Sequence, residues 1–86
     1  EQELIKTTDL NLASTLLCLG FDILGINSLD KNRVVFFFKK TSQLQEVMDN
    51  YWRGKLIVNP LEFSNTRRDL LTRMRQNEDF KEYQPS

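Results

Sequence analysis

Four arginines, Arg67, Arg68, Arg73 and Arg75, crowd a short stretch near the end of the chain, and guanidinium groups bind phosphate oxygens bidentately. At helical spacing Arg68 and Arg75 share a face beside Ser64 and Leu71, Arg73 falls on the opposite flank, and Arg67 borders the apolar line. With Arg53 and Lys55 upstream, Arg68 and Arg75 form the set expected to touch nucleic acid if this chain binds it. The overall charge argues the other way. Twelve Lys and Arg balance 12 Asp and Glu for a formal net charge of +0, and the pI is about 6.5, whereas nucleic-acid modules are usually basic. Cations toward the end of a helix also simply complement its dipole. Trp52-Arg53-Gly54-Lys55, preceded by Tyr51, joins aromatic to basic side chains, the combination that stacks on bases. Tyr51 and Trp52 nevertheless fall on the apolar arc of their helix, where core packing is the expected use. Phe36, Phe37 and Phe38 do not make one aromatic platform, because Phe37 points away from the other two along a strand.

Catalysis has little to draw on. The chain has no histidine, which removes Ser-His-Asp triads, Cys-His dyads and imidazole ligation. Asp9, Asp22, Asp30, Glu46 and Glu62 are the candidate acids for a paired-carboxylate or magnesium site. Their spacing brings no two together. Cys18 is the only cysteine, so it forms no internal disulfide and is expected as a small, half-buried thiol. Gly20, Gly25 and Gly54 are too scattered for a phosphate loop. The expectation is a protein that is not an enzyme and holds neither cofactor nor metal.

The elements that position these residues can be read from pattern. Eighty-six residues, 40% of them apolar, suit one domain of small core, and no run approaches the roughly 20 apolar residues of a membrane span. Residues 1–76 read as the domain and 77–86 as a polar tail. Thr7-Thr8-Asp9 offers N-caps for a helix over Asp9–Leu19, with Gly20 at its end. Phe21–Leu29 and Arg33–Lys40 read as a hairpin turning at Asp30-Lys31-Asn32. Ser42-Gln43-Leu44-Gln45 has the form of a capping box for a helix that Gly54 ends. Leu56-Ile57-Val58 is long enough for a third strand, and Asn59-Pro60-Leu61-Glu62 starts a last helix expected to reach about Arg75, with Phe63, Leu70 and Met74 on its buried line. The sum is an α+β fold, a small three-stranded sheet packed with three helices in the order α-β-β-α-β-α.

Two surfaces then ask for cover. Val34, Phe36 and Phe38 point one way along their strand and Val35 and Phe37 the other, so both faces are apolar. A helix of this chain or a neighbouring subunit is expected over each. On the first helix Asn11, Ser14, Thr15 and Cys18 share an uncharged side, which is the expected protein-binding surface. A homodimer through that side or through the sheet follows, because twofold self-association is the commonest assembly. The lone thiol and the absence of a secretory signal at Glu1-Gln2-Glu3 point to an intracellular, cytoplasmic setting. The missing initial methionine points to trimming or a fragment.

Lys6-Thr7-Thr8-Asp9-Leu10, Leu16-Leu17 before Gly20-Phe21, the strand Arg33–Phe38, and Tyr51, Gly54, Val58, Pro60 and Phe63 together resemble an uncharacterised family of small proteins. It is a domain of unknown function met in bacteria, their phages and mobile elements. The resemblance spans about residues 5–75, and Asn59-Pro60-Leu61-Glu62-Phe63 and Arg67 fit it. Asp79, Phe80 and Tyr83 fall outside it. It implies an intracellular, phage-linked accessory protein and supplies no site residues. The preferred function is non-enzymatic protein binding, with nucleic-acid binding through the arginine-bearing helix as the rival.

Overall fold

A computed structural model describes residues 3–30 and 33–79. The elements are strand β1 (Leu4–Thr7), helix α1 (Leu10–Cys18), strands β2 (Ile23–Asp30) and β3 (Arg33–Lys39), and helices α2 (Ser42–Trp52) and α3 (Pro60–Asp79). This is the expected α+β domain of three strands and three helices. One strand is elsewhere than expected: Leu56–Val58 is an irregular connection, and the third strand is β1 at the start of the chain. Leu4-Ile5-Lys6-Thr7 alternates outward and inward, but four residues give a weak pattern. The sheet is antiparallel in the order β1-β3-β2, with Ile5 opposite Phe38 and Ile26 opposite Phe36. The expected turn residues Lys31 and Asn32, and the tail from residue 80 onward, lie outside the described residues.

Local hydrogen bonds explain where the helices start and stop. The Asp9 carboxylate accepts from the Asn11 and Leu12 amides at 2.9 and 3.1 Å, an N-cap that satisfies two orphan donors. At the other end the amides of Gly20 and Phe21 donate to Leu17 and Leu16, with Gly20 at φ +100°. This is a Schellman motif, whose left-handed residue favours glycine. Gly54, at φ +72°, closes α2 in the same way, its amide and that of Lys55 donating to Tyr51 and Asn50. The start of α2 lies one residue before the expected box. Thr41, not Ser42, is the cap, and its hydroxyl accepts from the Leu44 amide at 3.0 Å. Asn59 caps α3 as expected, accepting from the Glu62 amide at 3.0 Å, and Pro60 holds the first helical position.

One core joins the layers. Leu12, Ala13 and Leu16 of α1, Leu44 of α2 and Leu70 of α3 pack with Ile26, Phe36 and Phe38. Ile5, Ile23 and Val34 lie against the same cluster, so this face of the sheet meets the helices. Val35 and Phe37 point the other way and take no part in that core. The second helical cover expected over them is not found among the described residues. Val35 is still only 8% exposed.

Candidate interaction surfaces

The polar side of α1 is not a surface. Leu12 to Leu16 are buried in succession, and five consecutive helical residues pass the whole way round the axis. The helix is therefore enclosed, with α3, α2 and β1 packed around it. Ser14 is fully buried and Thr15 is 5% exposed. Their hydroxyls donate to the Leu10 and Asn11 carbonyls, both at 2.8 Å, which makes such small polar residues compatible with burial. Asn11 is exposed, but its side-chain oxygen accepts from Arg67 Nε at 3.0 Å, tying α1 to α3. Cys18 is half-buried at the helix end. The expectation that Asn11, Ser14, Thr15 and Cys18 present one open patch is corrected: Ser14 and Thr15 are buried, Cys18 is half-buried and Asn11 alone is exposed, because α3, α2 and β1 pack around this helix.

A groove of about 340 Å³ opens where these helices meet. Leu56, Val58 and Phe63 form its apolar wall, Tyr51 and Gly54 bring the end of α2, and Asn11 and Thr15 line the α1 side. Lys55 to Asn59 do not pair in the sheet, so their alternation sends Leu56 and Val58 inward and leaves Ile57 90% exposed. Trp52 is 63% exposed and Leu61 is 69% exposed. The corner between α2 and α3 thus shows three large apolar side chains to water. Core packing was the expected use of both aromatics, and Tyr51 alone follows it. Trp52 sits in the last turn of α2, and its ring meets Tyr51 edge to face at 5.0 Å. Burial, and secondarily the Asp9 carboxylate, push the Tyr51 phenol above its usual range, so it stays protonated at neutral pH.

The charged candidates do not converge. Arg53 follows the last turn of α2, Lys55 lies in the connection, and Arg68 and Arg75 stand outward on α3. Seven helical residues separate Arg68 from Arg75, about 10 Å along the axis, and Arg75 is about 22 Å from the start of α3. Arg73 is exposed on another flank, and Arg67 is turned toward Asn11. Among the described residues no group of three or more His, Cys, Asp or Glu could hold a metal. No helix among them is long and apolar enough to cross a membrane.

A three-stranded antiparallel sheet with helices on one face, and an apolar groove at a helix junction, define a small two-layer α+β domain. The family model described as Domain of unknown function (DUF5659) matches residues 2–76, and the chain belongs to that family. No curated protein and no solved structure matches it.

Proposed function

We propose that this domain is a non-enzymatic protein-binding module that self-associates through the corner between α2 and α3. One observation carries the reading: Trp52, Ile57 and Leu61 remain exposed around a groove whose wall is apolar. Isolated surface leucines mean little, but several large apolar groups on ten residues of chain mark a contact surface. The charges nearby are of both signs, Arg53 and Lys55 with Asp49 and Glu62, so a twofold partner can set each against its opposite. A second copy is therefore the occupant. An accessory role in bacteria, their phages or mobile elements, in an intracellular setting, belongs to the same proposal.

Burying a large apolar side chain fully contributes about 1.5–3 kcal/mol, so the exposed parts of these three contribute about 3–7 kcal/mol per copy. A twofold contact buries both sets, about 6–14 kcal/mol together, against about 4–15 kcal/mol in lost freedom, so the dimer is weak and depends on concentration. Trp52 is the only tryptophan and reports its own burial. Sedimentation over a concentration series should show a dimer forming as the tryptophan emission shifts to the blue, and Ile57→Asp should abolish both. A monomer with constant emission up to hundreds of micromolar refutes the proposal.

The rival reading, nucleic acid held by Arg53, Lys55, Arg68 and Arg75, draws on the exposure of all four. Arg53 and Lys55 lie before α3, while Arg68 and Arg75 are spread along it with Glu62 and Asp69 on the same helix, which makes it the weaker. Salt-dependent DNA binding lost in Arg68→Ala/Arg75→Ala would reverse that order.

A further inference from the structure

The face of the sheet turned away from the helices has a different chemistry from the corner just described. Register fixes its occupants. Val35, Phe37 and Lys39 point outward on β3, Lys6 stands opposite Phe37 on β1, and Gly25 stands opposite Phe37 on β2. Phe37 is half-buried on the middle strand; Lys6 is exposed directly across from it on β1, and Lys39 is exposed two residues further along β3. Neither lysine holds an ion pair among the described residues. The remaining outward cation, Arg33, has Asp30 across from it at the hairpin end. Positive charge is thus left beside the aromatic ring. Gly25 places no side chain on the ring's other flank, where a methyl would lie 3.8 Å from Phe37 Cδ2.

We infer that this face binds single-stranded nucleic acid, one base stacking on Phe37 while Lys6 and Lys39 contact the flanking phosphates. An aromatic group on an open sheet with cations around it is the arrangement that accepts splayed bases without reading their sequence. Charge decides against a second copy here, because a twofold contact would set this positive face against its own image. It also favours a strand over a duplex, since a flat three-stranded face offers no helix or ribbon to enter a groove. The inference is independent of the self-association proposed for the opposite side of the molecule.

The test is fluorescence anisotropy with a labelled oligothymidylate of about 12 nucleotides and a duplex of equal length, read across a salt series. The single strand should bind more tightly than the duplex, and the logarithmic salt slope should be about −1.4 for two phosphates neutralised. Phe37→Thr should weaken binding by about tenfold to a hundredfold, and Lys6→Glu/Lys39→Glu should remove it. Both lysines are exposed, and an unchanged circular dichroism spectrum verifies that the double variant folds. Arg68→Glu/Arg75→Glu should bind as the parent does. No binding at low salt, preference for the duplex, full binding by Lys6→Glu/Lys39→Glu, or loss in Arg68→Glu/Arg75→Glu would each overturn the assignment.

Discussion

Leu70 is the side chain on which the placement of α3 turns. It is fully buried and belongs to the central cluster with Leu12, Leu16 and Phe36. Phe63, Arg67, Leu71 and Met74 on the same side of the helix are only partly covered. Leu70→Ala deletes buried methyl groups where α1 and the sheet meet α3, and a site held by a sheet on one side cannot collapse freely. The expected loss is about 3–4 kcal/mol, the transfer and cavity contributions together. A domain of this length holds about 4–13 kcal/mol in total, so the variant approaches the edge of stability. The melting temperature should fall by about 12–30 °C. Far-UV circular dichroism with urea and thermal melts measures it, the urea midpoint falling while the slope is kept. Leu61→Ala on the same helix, at a side chain 69% exposed, should change stability by less than about 0.5 kcal/mol. A loss below about 1 kcal/mol in Leu70→Ala, or equal losses in both variants, would refute the view that α3 is held by this contact.

Three further outcomes can be stated. Thr41→Ala should cost about 1 kcal/mol by removing the acceptor for the Leu44 amide, whereas Ser42→Ala should be close to neutral; equal losses in urea titrations would put the cap elsewhere. Asp9→Ala should cost about 0.5–2 kcal/mol, since two amides at the start of α1 lose their acceptor; the same denaturant midpoints decide it. Tyr51 titrates higher when folded than when unfolded, so the folded state holds its proton more tightly. The stability this gives is complete below the ordinary tyrosine range, near pH 10, and is lost as pH rises through the folded value. Tyr51→Phe should therefore flatten the alkaline fall in stability, and an unchanged pH profile would exclude that linkage.

Helix existence was legible because its signals are local. The Asn59-Pro60 start, the Gly20 and Gly54 stops and the Leu44, Val47, Met48 spacing all specify backbone states within a few residues, and each recurs in the fold. Burial was legible only where polarity tracks it. Ser14 and Thr15 broke the rule because their hydroxyls bond to carbonyls four residues back, which removes the penalty for enclosing them. Leu56-Ile57-Val58 has strand composition, but pairing needs a free edge at the right distance, and the chain gives that edge of β3 to Leu4–Thr7. No periodicity announces such a choice. Ile57 carried the one usable clue to the corner, being apolar at the position whose two neighbours would face inward together.

The pairing of β1 with β3 joins Leu4 to Lys39, whereas β2 and β3 are neighbours in the chain. Closing the longer loop carries the larger entropic penalty, so the hairpin should assemble first and the amino-terminal strand should dock afterwards. During that interval the middle strand is a bare edge rich in phenylalanine, ready to recruit a strand from another molecule. Pulsed hydrogen exchange during refolding would find Ile5 and Thr7 protected later than Ile26; simultaneous protection would rule out the delay. A strand of only four residues thus acts as the closing stave that keeps nascent copies of this chain from aggregating edge to edge.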